Sequence, residues 1–104
     1  MTRKVVALGV ASFFAGGAVA QGADTSGGRA IAAGCAACHG TNGVSGTRVP
    51  SLAGMPLADI AARMREFKSG QRSGTVMPQL AKGYTDEQID LLAAWFAAQP
   101  APAK

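Results

Sequence analysis

The stretch Cys35-Ala36-Ala37-Cys38-His39 decides how the rest of this 104-residue chain can fold. Two thiols three positions apart lie on the same side of one helical turn. Each thiol can form a thioether with one vinyl group of a haem, and the imidazole of the next residue then lies under the iron. This C-x-x-C-H spacing is typical of covalent c-type haem attachment. We therefore expect Cys35 and Cys38 to hold one haem c covalently and His39 to be an axial iron ligand.

Three other uses of the two cysteines are possible. A thioredoxin-type redox pair needs a surrounding βαβ pattern, and the sequence shows none. A structural zinc site needs four ligands, but the chain has no third cysteine and no second histidine. A plain disulfide beside a coincidental histidine is the remaining alternative. The pentapeptide favours the haem because it combines three rare residues, two cysteines and one histidine, at the required spacing.

The first twenty residues have the pattern of a secretory signal peptide. A short basic segment, residues 1–4, precedes an apolar segment, residues 5–19, that is too short to span a bilayer comfortably. Ala18-Val19-Ala20 fits the small-x-small cleavage pattern, and this argues against the alternative of an uncleaved membrane anchor. We expect residues 1–20 to be cleaved. Residues 21–104 would then form one domain, exported to the periplasm and without a membrane span.

The charge of the chain excludes one broad class of partner. The formal net charge is +4 at pH 7, and removal of Arg3 and Lys4 leaves eight basic against six acidic residues. This mild excess is not typical of a nucleic-acid-binding protein.

A mature chain of this size builds only a marginal core and usually needs added stabilisation from a covalent cross-link or a cofactor. A central apolar haem would provide it.

Helical periodicity and end signals predict an all-α fold with three main helices. The first covers about residues 29–37 and has the cysteines at its end. The second begins at Pro56 and continues to Gly70 with apolar residues at helical spacing. The third begins at Thr85, where Gln88 completes a capping box, and ends near Gln99. No stretch predicts a strand.

The sixth position of the haem iron decides the chemistry, because a methionine thioether closes it and an open position permits peroxide or gas chemistry. Met77 is expected to lie in a long, helix-free loop, where Pro78 holds the backbone extended and aims the side chain at the second haem face. Met55 is the second candidate, although it lies close to a helix start. Met64 lies on the apolar stripe of the second helix, which predicts a core position.

Pro50 follows His39 by eleven residues in a glycine-rich loop. Its carbonyl oxygen lies within reach of the imidazole Nδ1–H, and such a bond would orient the ring and raise its basicity. An ordinary turn proline is the alternative, and the residues alone favour it.

Together these segments resemble the class I c-type cytochromes. The haem motif, Val49-Pro50-Ser51-Leu52, the Met77-Pro78 pair and a closing aromatic helix occur in that family's order. The resemblance implies a small fold of three main helices wrapped around one haem. It also implies that His39 and Met77 are the axial ligands, that Pro50 is the carbonyl partner of His39, and that the first and last helices cross.

Within that class the chain is most similar to the c4/c553 type, and more narrowly to the monohaem cytochrome subunit of flavocytochrome c sulfide dehydrogenase. The matching stretches are residues 35–43, 50–54, 67–70 and 81–88. The resemblance implies a periplasmic carrier of single electrons that is no enzyme on its own and receives electrons from a flavoprotein subunit. A free c4/c553-like carrier to a terminal oxidase is the alternative, and Met77-Pro78 is more typical of such carriers. An open-site haem enzyme or gas sensor is the alternative from another class.

A loose basic cluster is the last feature of the sequence with a bearing on partners. If it surrounds the haem edge it would steer an acidic redox partner, and otherwise it is a solvated face. Its members are Arg63, Arg65, Lys68, Arg72 and Lys82.

Overall fold

The computed structural model describes residues 2, 7, 9–12 and 25–103 of the chain. All regular structure in this part is helical, which confirms the predicted all-α class. The helices are α1 (Thr25–Ala32), α2 (Ala36–His39), α3 (Leu57–Ser69), α4 (Met77–Ala81) and α5 (Asp86–Ala97). Single 3-10 turns at Ala33–Cys35 and Thr41–Gly43 flank α2.

The predicted signal peptide, residues 1–20, falls mostly outside the described residues and stays a prediction. Among the helices that are described, none has both the length and the apolar character needed to cross a membrane.

The first predicted helix is longer than expected and is broken. It starts at Thr25, passes through the 3-10 turn Ala33–Cys35 and ends as α2 at His39. Gly28 lies inside α1 because that helix crosses α5 closely. A Cβ atom at Gly28 would lie 2.5 Å from the Leu91 carbonyl oxygen and 3.1 Å from Trp95 Cβ. Tertiary packing therefore overrides the weak helix propensity of glycine and confirms the expected crossing of the first and last helices.

The second and third predicted helices agree with α3 and α5 to within a few residues. Gly70 ends α3 in a left-handed conformation with φ of 84°, as expected of a glycine after a helix. At the start of α5, the Gln88 amide donates to Thr85 Oγ1 at 3.1 Å and the Thr85 amide donates to Gln88 Oε1 at 2.9 Å. The predicted capping box is confirmed.

The core lies where α1, α3 and α5 meet. Phe96, Ile89 and Leu92 of α5 are its largest fully buried side chains. The other buried apolar residues are Ala32, Ala53, Ile60, Ala61, Met64, Ala81 and Ala93. Small residues dominate this set, so the core is thin, as the size of the chain predicts.

The segment around Met77 corrects one expectation. Met77 does not lie in a helix-free loop with an extended backbone, because it is the first residue of α4 and Pro78 lies in the first turn. Proline is favoured there, since a first-turn residue needs no N–H for helical hydrogen bonding and the ring holds φ near the helical value. The restriction that proline places on the residue before it is therefore overcome by helix formation.

Candidate functional site

A cavity of about 530 Å³ opens between the end of α2, α3 and α4. Its walls are formed mainly by apolar side chains of these helices and of the loops between them. All residues that the sequence singled out as haem contacts line this one cavity, and they are Cys35, Cys38, His39, Pro50 and Met77. Segments more than forty residues apart in the chain therefore meet at one place.

The two cysteines differ in their surroundings. Cys35 ends the 3-10 turn and is half-buried, whereas Cys38 lies in α2 and is exposed. Burial, and then the neighbouring Cys38 thiol, raises the pKa of the Cys35 thiol. Both line the cavity. No cluster of three or more His, Cys, Asp or Glu side chains that could hold a metal ion occurs within the described ranges.

His39 is the last residue of α2, and its ring is oriented by a backbone group. Nδ1 of His39 lies 2.6 Å from the carbonyl oxygen of Pro50. A carbonyl oxygen can only accept, so Nδ1 carries the proton and donates it to Pro50. Nε2 then keeps its lone pair, which is the form of imidazole that binds a metal.

The loop that carries Pro50 is fixed against the core. Its backbone returns to Gly43, whose carbonyl oxygen accepts the amides of Leu52 at 2.8 Å and Ala53 at 3.1 Å. Gly43 has φ of 78°, and a Cβ atom there would lie 2.7 Å from Phe96 Cδ1. Only glycine meets both conditions without strain. The Pro50 carbonyl is therefore presented to His39 by a loop that packs directly on α5.

Three methionines line the same cavity, and their environments differ. Met64 of α3 is buried with 7% of its surface exposed, which confirms the predicted core position. Met55 and Met77 are half-buried and pack against the core cluster from its edge. Both line the cavity, and Met77 is the first residue of α4.

A family model described as "Cytochrome C oxidase, cbb3-type, subunit III" matches residues 22–96. The chain belongs to the cytochrome c family. Family membership implies that this cytochrome binds haem c, and it agrees with the motif at residues 35–39 and with the all-helical fold.

Known proteins similar to this cytochrome are named as a subunit or electron acceptor of sulfur-compound dehydrogenases and as c-type cytochromes. The cytochrome subunit of sulfide dehydrogenase from Chlorobaculum tepidum is 44% identical over 69 residues, which are 66% of this chain and 63% of that protein. The thiosulfate dehydrogenase electron acceptor of Stutzerimonas stutzeri is 37% identical over 65% of this chain and 32% of its own length. Cytochrome c4 of Pseudomonas aeruginosa is 35% identical over 95% of this chain and 49% of its own length.

The matches therefore span less than two thirds of each of these three relatives. They confirm the resemblance to the c4/c553 type and to the sulfide dehydrogenase cytochrome subunit.

The cavity of the cytochrome fits a haem by its donor set. The lining offers two thiols, an imidazole whose Nδ1 is already engaged, and methionine side chains. An imidazole nitrogen and a soft methionine sulfur are the donor types that hold iron in electron-transfer haem sites. The rest of the lining is mainly apolar and includes Leu52, Ile60 and Leu92.

The predicted basic cluster is mostly neutralised by acidic partners. Arg65 pairs with Asp90 at 2.6 Å, Lys68 with Asp86 at 3.4 Å and Arg72 with Glu66 at 2.7 Å. Within residues 25–103, Arg63 and Lys82 are without such a pair. The five cations thus do not form one uncompensated surface, and the structure favours an ion-paired face over a steering patch.

Sequence reasoning missed part of the cavity wall. Phe67, Arg72 and Tyr84 line it, and helical periodicity alone did not indicate that Phe67 borders this cavity. Burial, followed by the charge of Cys35, raises the pKa of Tyr84. Residues 73–76 complete the wall, and no motif or periodicity in that stretch signalled this position.

Proposed function

We propose that this cytochrome carries single electrons on one covalently bound haem c, with residues 21–104 as its exported, periplasmic domain. When bound, the haem supplies the ferric–ferrous couple, and the chain sets the surroundings of that couple. The observation that supports this function is the convergence of Cys35, Cys38, His39 and Met77 on one apolar cavity.

Each of these residues has a distinct task in the proposal. Cys35 and Cys38 form the two thioethers that keep the haem from dissociating. His39 binds the iron through Nε2, while its Nδ1–H donates to Pro50 and so keeps the ring in one orientation. Met77 closes the opposite position with a soft thioether, which favours the ferrous state and raises the reduction potential. No residue acts as an acid, base or nucleophile.

The apolar wall serves electron transfer in a second way. Ile60, Phe67 and Leu92 are part of a mainly apolar lining, and an apolar shell around a redox site limits the access of solvent to it. A carrier benefits from this because it must change oxidation state with little structural change.

For the partner, we propose a flavoprotein that oxidises sulfide and passes electrons to this cytochrome. The support is the 44% identity to the cytochrome subunit of the Chlorobaculum tepidum sulfide dehydrogenase. The second candidate partner is a thiosulfate dehydrogenase, with this cytochrome as its electron acceptor. The support is the similarity to the thiosulfate dehydrogenase electron acceptor of Stutzerimonas stutzeri. In either case the substrate chemistry belongs to the partner.

The test of the carrier function is a combined mass and redox titration of the purified, haem-loaded protein. We expect the denatured chain to retain the mass of one haem and the native protein to take up one electron per chain. Cys35→Ser and Cys38→Ser singly should each leave a haem with one remaining thioether, and the double variant should release it on denaturation. A haem that is lost from the unmutated chain on denaturation would contradict covalent attachment.

The partner is tested by reduction of the loaded protein with a sulfide-oxidising flavoprotein and sulfide. Reduction that needs both components supports the sulfide dehydrogenase partner. Reduction only by a thiosulfate dehydrogenase and thiosulfate would overturn it.

A further inference from the structure

One wall of the cavity is a short loop, residues 70–76, between α3 and α4. Arg72, Gly74 and Val76 of this loop line the cavity. Met77 follows directly as the first residue of α4. The position of the loop therefore determines where the Met77 thioether lies.

The loop is fastened to the end of α3 through one arginine. Nε and Nη2 of Arg72 each lie 2.7 Å from Glu66 Oε2, and the Arg72 amide donates to the Glu66 carbonyl oxygen at 3.1 Å. The guanidinium carbon of Arg72 also lies 5.7 Å from the centroid of the Phe67 ring, within the range of a cation–π contact. We call Glu66, Phe67 and Arg72 the Arg72 clasp.

The clasp is connected to α4 through Gly74. A Cβ atom at Gly74 would lie 3.3 Å from Phe67 Cε1 and 3.2 Å from Pro78 Cδ. The loop backbone therefore packs between the Phe67 ring on α3 and the first turn of α4. The Phe67 ring lies against both Arg72 and Gly74. A movement of Arg72 therefore shifts the loop backbone against Pro78 and its neighbour Met77.

We propose that Arg72 is a positioning residue that holds the start of α4, and with it the Met77 thioether, at the cavity wall. This inference rests on the proposed function, in which Met77 closes the iron. The clasp acts on the equilibrium between a closed state with Met77 bound and an open state in which the loop and Met77 have moved away. An exogenous ligand such as cyanide can enter only in the open state.

The expected rise in the population of the open state follows from the strength of the two side-chain contacts that Arg72 makes, with Glu66 and with Phe67. The side chains of Arg72 and Glu66 are 43% and 38% exposed, so their ion pair is screened by solvent. Loss of such a pair together with a cation–π contact raises the population of an open state by about tenfold. The rate of cyanide binding rises in proportion to that population.

The experiment measures the rate of cyanide binding to the ferric, haem-loaded protein by visible spectroscopy. Arg72→Gln removes the charge and the stacking, and the expected result is a rise in rate of about tenfold. Arg72→Lys, which keeps the charge but not the planar contact with Phe67, should restore part of the slow binding. Glu66→Gln provides a second variant should Arg72→Gln fail to fold, and it should bind cyanide a few-fold faster than the unmutated protein.

Arg65→Gln is the matched control. Arg65 also lies on α3, has a similar exposure of 42% and pairs with acidic residues, but its partners are Asp90 and Asp86 of α5. A general loss of stability would raise the rate in both variants, whereas a positioning role raises it only in the clasp variants. Equal rates in Arg72→Gln, Arg65→Gln and the unmutated protein would overturn the inference. The proposed closure by Met77 fails separately, when the unmutated ferric protein already lacks the red methionine-to-iron absorption band and binds cyanide at once.

Discussion

The two sides of the cavity are built in different ways. On the His39 side, residues 40–55 are fixed by backbone hydrogen bonds to Gly43 and by direct packing on Phe96. On the Met77 side, residues 70–76 are fixed by the Arg72 clasp, whose charged side chains are partly exposed. Buried backbone contacts resist opening more strongly than exposed ion pairs. We therefore expect the His39 side to stay closed and the Met77 side to yield first.

This difference suits a carrier with two unlike ligands. In the proposed carrier, His39 directly follows Cys38 in α2, and its Nδ1 lies 2.6 Å from the carbonyl oxygen of Pro50. The methionine depends on a five-residue helix and the loop before it. Local stability varies within a protein in this way, and segments with few buried contacts open most easily.

The largest expected effect is on the His39 side, at Gly43. Gly43→Ala places a Cβ atom 2.7 Å from Phe96 Cδ1 in a backbone with φ of 78°, and should lower the free energy of unfolding by about 2–4 kcal/mol. Thermal or denaturant unfolding of the loaded protein measures it. Gly70→Ala is the control, because Gly70 has φ of 84° but open space around it, and it should cost only about 1–2 kcal/mol.

Equal losses at Gly43 and Gly70 would mean that backbone conformation alone accounts for the effect. The close packing of the His39 loop on α5 would then contribute little.

The next effect concerns α1, the helix that precedes the haem motif. Gly28→Ala should cost about 1–3 kcal/mol, because the new Cβ atom would lie 2.5 Å from the Leu91 carbonyl oxygen and push α1 away from α5. Gly27→Ala, one residue earlier in the same helix, meets nothing within 4 Å and should stabilise by up to about 1 kcal/mol. Unfolding of the two variants under identical conditions gives the difference. A Gly28→Ala variant as stable as Gly27→Ala would show that the crossing is loose.

On the Met77 side a comparable change should cost less. Gly74→Ala places its Cβ atom 3.2 Å from Pro78 Cδ and 3.3 Å from Phe67 Cε1, contacts that a small loop shift can relieve. We expect a loss of about 1 kcal/mol in the free energy of unfolding and faster cyanide binding than in Gly46→Ala, whose surroundings are open. A loss as large as that at Gly43 would contradict the proposed difference between the two sides.

The smallest change in stability is expected for the clasp itself. Glu66→Gln should alter the free energy of unfolding by about 0.5 kcal/mol or less, because the ion pair with Arg72 is partly exposed. Denaturant titration measures this loss, and hydrogen exchange in residues 70–81 reports on local opening. Unchanged exchange there, combined with a large global loss, would mean that the pair stabilises the whole fold and not the loop.

The predictions from sequence succeeded where the signal was local. The apolar spacing of α3, the glycine after it and the Thr85 capping box depend on residues within one or two turns, and each is present. The candidate site residues could be named from the sequence because the C-x-x-C-H spacing places three rare residues, two cysteines and one histidine, in one pentapeptide. The early start of α1 was missed because it depends on contact with α5, which lies some sixty residues later.

The Met77 side shows why the rest could not be predicted. Pro78 signalled an extended backbone before it, but it also fits the first turn of a helix, and the sequence does not decide between the two. The Arg72 clasp joins residues six apart across the end of α3, which is not a helical spacing. The position of residues 70–76 depends on these side-chain contacts and was therefore absent from any periodic pattern.

The measurement that tests the account most directly is the visible spectrum of the oxidised, haem-loaded protein, compared with Met77→Ala and Met55→Ala. The account predicts a weak red methionine-to-ferric-iron band that is lost in Met77→Ala and kept in Met55→Ala. Loss of the band in Met55→Ala alone would show that Met55 is the ligand and that the assignment to Met77 is wrong. A high-spin spectrum of the unmutated protein, with ready binding of cyanide and carbon monoxide, would contradict the carrier function and indicate an open-site haem enzyme or gas sensor.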